Sequence, residues 1–397
     1  MTPKVSVAER RGRLVERQLL REPVASVAEV ASSLVAFHAT DPVTVYLSAW
    51  ARSRCAVEDV DTALYRERGV VRMLAMRRTV FTVPAGLAPV VQAACTDDVA
   101  ARLRRQLVKD LANGGIGDGD AGGWLRSLED AVLRALAARG GGATGAQLSA
   151  DEPMLRTQLM YAPDKSYGGA QNIASRVLTL ISAEGRMIRG HRRGGWSSGQ
   201  FEWFLPETWL RADATAAGIG TGLDAGVARA ELARRWLQVF GPAPVSDLQW
   251  WAGWTGAQTK AALAALPVAE VDLDGQAGIT LEDDLSFPAV PPPVAALLPA
   301  LDPTPMGWQA REWYLGPHAS ALFDRTGNIG PTVWWEGRVV GGWAQRASGE
   351  VAYRLLEDIG AAGTAAVAAE ASALEAWLDK GRVTPRFRTP LERELSA

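Results

Sequence analysis

The chain has 397 residues, 48% hydrophobic and 22% charged, the balance of a globular protein long enough for two or three packed units rather than of a disordered chain. Its formal net charge is −2, so a nucleic-acid partner would have to be met by basic residues sorted onto one face, not by overall charge. Its two cysteines, Cys55 and Cys95, form no CxxC pair, and the sequence shows neither an apolar signal core near its start nor an apolar run of bilayer length; the expectation is a cytoplasmic chain without disulfide framework, thiolate zinc site or membrane contact.

Apolar residues recur at helical spacing from Val5 to Leu20, and Pro23 ends that run. Ser26, with Glu29 three positions later, signals a capped helix from Val27 to Phe37. Further helices are predicted from about Thr44 to Arg54 and from Val57 to Arg68, where Gly69 stops the pattern. VVRMLA and TVFTVP, separated by Met76, Arg77 and Arg78, then read as the two strands of a ribbon.

Glycine-rich stretches at Asn113–Gly123 and Gly140–Gly145 read as linkers, since they lack the Lys-Ser/Thr ending of a P-loop. A short helix from Thr144 to Ala150 and a stronger one from Ala170 to Ala183, ended by Gly185, precede a strand in RMIRG, a basic turn in HRRGGWSSG and a strand in FEWFL. ALYRERGVVRML and TLISAEGRMIRG thus share one order of helix, glycine and short apolar-basic strand, a weak internal repeat. A fainter third version has helices in ARAELARRWLQVF, VSDLQWWAG and GAQTKAALAAL and a ribbon in VAEVDLD and GITLED, with acidic residues in place of basic ones. After FPAVPPPV come strand candidates PTVWWEG, RVVGGWAQR and VAYRLLE, an alanine-rich helix from Ala361 to Leu378, and a tail bearing Arg382, Arg386, Arg388 and Arg393.

Short helices followed by a two-stranded ribbon are the order of the winged helix, in which one helix enters the major groove and the ribbon reaches the DNA backbone. The expected fold is α+β, mainly α: winged-helix units at 1–112, 113–212 and 213–287, then a small β-rich domain with a terminal helix at 288–397. Candidate phosphate contacts are Arg72, Arg77 and Arg78 on the first ribbon and Arg186, Arg189, His191, Arg192 and Arg193 on the second, whose tip can turn tightly at Gly194 and Gly195. Arg102, Arg104, Arg105 and Lys109 form another cluster on a predicted helix. Any single cluster reads equally well as solvated surface; two basic ribbons on similar units, expected to converge along one trough, point to double-stranded DNA.

LVAFHATDPVTVYLSAWAR, MRRTVFTVP, LISAEGRMIRG, FGPAPVSDLQWWAGWT, LLPALDPTPMGW and GRVVGGW together resemble the winged-helix, AlkZ-like DNA glycosylases over nearly the whole chain. The resemblance implies three winged-helix units around a concave DNA-binding face, action as a monomer, and no metal or organic cofactor. It implies hydrolysis of the N-glycosidic bond of N7-alkylated or crosslinked purines by water, without a lysine Schiff base. The family's catalytic motif is Gln-x-Gln or Gln-x-Asp with an apolar middle residue, and a His can stand first. It falls here on His38, Ala39 and Thr40; Ala39 fits, and the outer two depart from the commonest pattern.

An N7-alkylated purine is already a good leaving group, so positioning water near the sugar matters more than strong base catalysis. His38 can accept or orient a water proton, Thr40 lies on the same side of an extended segment, and Asp41 is the nearest carboxylate. Thr40-Asp41-Pro42 is also a helix-start signature, which gives Asp41 a capping role, and His38 can equally be a packed core histidine. Asp302 either organises a turn with Pro303 or faces the site, His318 has no metal-ligand partner at suitable spacing, and Trp250 and Trp251 read as core. Two non-enzymatic readings stand beside base excision: a winged-helix DNA-binding protein or regulator without catalysis, and a scaffold that kept the fold and lost DNA.

Overall fold

The computed structural model describes residues 2–161, 168–210, 219–220, 222–286, 290 and 292–397. The helix Val7–Arg17 begins at Ser6, where Ser6 and Glu9 cap each other's backbone amides. The helix Val27–Ser33 is capped by Ser26 as expected but ends earlier than predicted, because Val35 takes a left-handed conformation with φ 66°. The freed residues form β1 (Phe37–His38). Helix Pro42–Ser53 follows at once, with Asp41 as its cap and Pro42 in the first turn. β2 (Val70–Leu74) and β3 (Val80–Pro84) pair antiparallel around a tight turn at Met76–Arg78, and β1 adds to the other edge of β3.

After the helix Asp97–Asn113, the glycine-rich stretch holds only a short turn before the helix Ala121–Ala138, which its glycines conceal in the sequence. Asp120 caps that helix by accepting the Gly123 amide at 2.7 Å, and a Cβ at Gly123 would overlap the Asp120 carboxylate. The helix Gly145–Asp151 follows. A hairpin of β4 (Gln158–Tyr161) and β5 (Gly169–Asn172) then takes the place of the predicted start of the next helix, which spans Ala174–Ala183. β6 (Ile188–Arg192) and β7 (Phe201–Phe204) form the second ribbon.

The first two ribbons are not separate wings. β6 pairs antiparallel with β2, with Arg72 opposite Arg189, and makes one five-stranded sheet in the order β1-β3-β2-β6-β7. Because β2 and β6 run in opposite directions, the turn bearing Arg77 and Arg78 and the turn bearing Arg192 and Arg193 lie at opposite ends of this sheet. The expectation that the two basic tips converge is thereby corrected; the cause is the open edge of β2, which pairs with the second ribbon.

Helices Ala225–Phe240, Val245–Ala252 and Gly256–Ala264 precede the third ribbon, β8 (Val268–Leu273) and β9 (Gln276–Leu281). Its Asp274-Gly275 turn has positive φ at both residues, 52° and 91°, which suits the twist of a hairpin. The C-terminal sheet runs β10 (Ala295–Leu298), β11 (Thr332–Trp335), β12 (Arg338–Gln345) and β13 (Val351–Leu355), all antiparallel, with helix Gly360–Leu378 against it. One continuous apolar core joins Leu14, Trp50, Trp236, Trp251, Trp334 and Leu374, whereas residues between Leu107 and Trp203 have a core of their own. The boundaries expected at 112, 212 and 287 therefore do not divide four cores. Among the described residues no helix is long and apolar enough to cross a membrane.

Candidate functional site

His38 ends β1, and its register is fixed by pairing with Phe81 of β3 and by the Ala39 amide donating to the Val80 carbonyl at 2.8 Å. The imidazole meets the Phe81 ring edge-on, with centroids 5.2 Å apart. It is only 5% exposed, and its Nδ1 is buried without a hydrogen-bond partner. Burial, and secondarily the charge of Arg77, push its pKa down to about 3, so the ring is neutral at pH 7.

The ring lines a cleft of about 290 Å³ together with Arg77, Thr79, Trp250, Gln309, Arg311 and Asn328. Four further segments build this cleft around the His38 strand. The turn between β2 and β3 brings Arg77 and Thr79, with Arg77 at φ 53° and Arg78 at φ 60°. Gly253 follows the Trp250 helix at φ 74°, and a Cβ there would meet the Arg77 backbone nitrogen at 3.1 Å, so the two segments approach through a glycine. Asp247, buried on the same helix, accepts the amides of Gln309 and Ala310 at 3.0 and 2.9 Å. Asp324 accepts the amides of Thr326 and Asn328, each at 2.8 Å, and closes the fourth side.

Neither Thr40 nor Asp41 lines this cleft. Asp41 caps the Pro42–Ser53 helix by accepting the Val43 amide at 3.3 Å, and its other oxygen accepts the Arg386 amide at 2.9 Å. Burial raises its pKa, and these bonds oppose the shift. The Thr40 carbonyl accepts from the Arg386 guanidinium at 3.4 Å. Of the three residues proposed for catalysis, His38 alone reaches the cleft; Asp41 takes the capping role that its sequence signature allowed.

The basic candidates divide sharply. Arg77 and Arg78 line a groove of about 640 Å³ with Arg102, Gln106, Ser175 and Arg176. A smaller recess beside it adds Arg105. Arg77 belongs to the groove, the recess and the His38 cleft, so the three adjoin. Arg78, Arg102 and Arg105 are exposed, and no ion pair holds them among the described residues. Arg176 is partly neutralised by Asp110.

The second-ribbon residues do not form a basic tip. Arg72, on the first ribbon, is buried as well and donates to the Gly190 carbonyl of the second at 2.7 Å. Arg189 lies against Phe201 and Trp203, with its pKa lowered to about 10 by burial and then by Arg72. Arg186 is held by Glu129 and Asp130, and Arg104 by Glu129 and Glu184. His191 packs on Trp209 at 4.9 Å, Arg192 donates to the hydroxyls of Tyr46 and Tyr65, and Arg193 pairs with Glu202. Arg189 and Arg193 face partners on the same ribbon, whereas Arg104, Arg186 and Arg192 are held by residues from distant parts of the chain, which local sequence does not reveal.

Asp302 is not at the cleft. It receives two hydrogen bonds from Arg52, at 2.7 and 2.9 Å, with both side chains fully buried, and also accepts from the Ser48 hydroxyl at 2.6 Å. This ties the helix after His38 to the segment carrying Gln309 and Arg311. His318 lies 3.9 Å from Glu357. Trp250 is only partly buried and walls the cleft, so its reading as core is corrected, whereas Trp251 is core. Gln309 and Arg311 were missed; they sit in a loop without a motif. Among the described residues no group of three or more His, Cys, Asp or Glu is placed to hold a metal ion.

The sequence model of a family described as "DNA glycosylase AlkZ-like" matches residues 31–377. The solved structure of Streptomyces sahachiroi DNA glycosylase AlkZ is similar to this chain, with a TM-score of 0.66 and 20% identity, covering 94% of this chain and 97% of that one; at that identity it shows the fold alone. A comparison with curated proteins gives no match.

Proposed function

The chain belongs to the AlkZ-like DNA glycosylase family, and from that premise we propose that it is a monofunctional DNA glycosylase that hydrolyses the N-glycosidic bond of N7-alkylated or crosslinked purines in double-stranded DNA. The observation that carries this reading is a neutral imidazole, without a hydrogen-bond partner among the described residues, in a cleft that adjoins a groove lined by Arg77, Arg78 and Arg102, which have no ion pair among those residues. The groove supplies phosphate contacts through Arg77, Arg78, Arg102 and Arg105. A lesion that already weakens stacking lowers the cost of bringing the nucleotide out of the helix.

His38 takes the central role. With its pKa near 3, it is a weak base that orients water by hydrogen bonding rather than holding a full proton. That suffices where the leaving purine departs as a neutral base and the barrier lies in C1′–N9 cleavage. Thr40 and Asp41 act through the fold, by setting the chain between β1 and the next helix. The test is incubation with a duplex carrying N7-methylguanine, followed by chromatography of the free base. Wild type is expected to release 7-methylguanine from that duplex and no base from the unmodified one.

The second reading, a DNA-binding protein without catalysis, is favoured by one observation: a single member of the expected catalytic trio reaches the cleft. Tight duplex binding with no base released from alkylated or crosslinked substrates would select it.

A further inference from the structure

We propose that Arg77 and Arg311, both stacked on Trp250, form an anion clamp beside His38 that holds a backbone phosphodiester of bound DNA. The inference deepens the reading above and rests on it. The Arg77 guanidinium carbon lies 3.9 Å from the Trp250 ring centroid and that of Arg311 lies 5.0 Å from it. Cation–ring stacking on one indole fixes both heads without consuming their N–H donors. Arg311 spends its Nε on the Trp308 carbonyl at 2.9 Å, and its terminal nitrogens have no partner among the described residues. Arg77 has no ion pair or hydrogen-bond acceptor among them, and its Nε is buried unsatisfied.

Two cations in one cleft are unfavourable without a counter-charge. Burial and the charge of Arg311 lower the Arg77 pKa to about 10. Among the described residues no carboxylate lines the cleft; its other polar residues are His38, Thr79, Gln309, Thr326 and Asn328, all neutral at pH 7. Asp247 takes the Gln309 and Ala310 amides on one oxygen and shares its charge between Arg10 and Arg311, and Asp324 is turned to the amides of its own loop. One carboxylate shared by two arginines leaves Arg77 without a counter-charge, so an anion inside the cleft would offset the remaining positive charge.

A phosphodiester fits it. It carries one negative charge and acceptor oxygens that match forked guanidinium donors. The clamp takes a phosphate next to the lesion, whose negative charge offsets the repulsion that the two arginines would exert on a cationic alkylated base at His38. Through Arg77 the cleft adjoins the groove with Arg78 and Arg102, which gives a strand a continuous run of cations to follow.

The test is the salt dependence of duplex affinity for wild type, R311Q, R77Q and R311K, with R354Q as a control, because Arg354 pairs with Glu394 at the C-terminal sheet. Each lost phosphate contact should reduce the slope of log K against log salt by about 0.9. R311Q and R77Q should each show that loss, while R311K and R354Q keep the wild-type slope. Unchanged slopes in both R311Q and R77Q overturn the clamp. A thermal shift with inorganic phosphate that vanishes in R311Q while the DNA slope stays unchanged would assign the clamp to a free anion and equally overturn it. Release of 7-methylguanine by wild type is scored separately. Base release with unchanged slopes sinks the clamp alone, and reduced slopes without base release sink the catalytic reading alone.

Discussion

Arg52 and Asp302 meet as a doubly hydrogen-bonded ion pair with no exposed side-chain surface on either partner. They join the helix that follows His38 to the segment that supplies Gln309 and Arg311, so the cleft depends on this junction for its shape. Ser48, Thr304 and the Gln18 carbonyl, which accepts from the Arg52 Nε at 2.8 Å, complete the hydrogen bonding of the pair. Removing one partner leaves a buried charge uncompensated, so Asp302→Ala should cost about 3–5 kcal/mol. Replacing both, as Arg52→Met with Asp302→Leu, should cost less than the single change. Urea unfolding of the three variants measures this; equal stability of Asp302→Ala and wild type would show that the pair does not hold the junction.

His38 makes stability depend on pH. Its folded pKa of about 3 lies below the ordinary value of 6.5, so between those limits the unfolded chain binds a proton that the folded chain refuses. The contribution of neutral His38 is therefore fully present above pH 6.5 and is lost as pH falls toward 3. Wild type should lose stability relative to His38→Gln as the pH drops from 7 to 4, read from denaturant midpoints at each pH. Parallel curves would mean that the ring is solvated and not sealed in the cleft.

The two classes of arginine should separate in a DNA-binding measurement. A double variant Arg102→Gln, Arg105→Gln should flatten the salt dependence of duplex affinity by about two phosphate contacts, or roughly 1.8 in slope. Arg186→Gln should leave that slope unchanged, because Glu129 and Asp130 already hold the guanidinium. The opposite pattern would return the interface to the second ribbon.

Asp41→Ala removes a helix cap and the anchor of the Arg386 amide together, and should destabilise the protein by about 1–2 kcal/mol. Asp41→Asn keeps an acceptor for the cap and should lose less. Both are read from thermal or urea unfolding; a neutral Asp41→Ala would show that the cap does not set the chain after His38.

Much of the order of helices and ribbons is legible in the sequence because it rests on local signals, although the Ala121–Ala138 helix and the β4–β5 pair are not. Ser26 and Glu29 mark a helix start, Gly69 a stop, and β2, β3, β6 and β7 fall where short apolar runs flank basic turns. What local pattern does not carry is pairing at a distance. Arg72 opposite Arg189 places two ribbons in one sheet, and no property of either residue alone predicts that neighbour. The same limit governs the site. His38 stood out as a motif position, whereas Arg311 and Gln309 join it only because buried Asp247 draws their loop onto another helix. The turn at Arg77 and Arg78 was correctly marked as basic, but its neighbour in space is Trp250, whose apolar surroundings in the sequence made it look like core.

His38, and not Thr40, is the side chain proposed to act on the glycosidic bond. Single-turnover release of 7-methylguanine from an N7-methylated duplex, compared at pH 7 for wild type, His38→Ala and Thr40→Ala, tests it most directly. His38→Ala should lose about 10²-fold or more, and Thr40→Ala should keep a rate close to wild type. A wild-type rate from folded His38→Ala, or an equal loss in both variants, would contradict it.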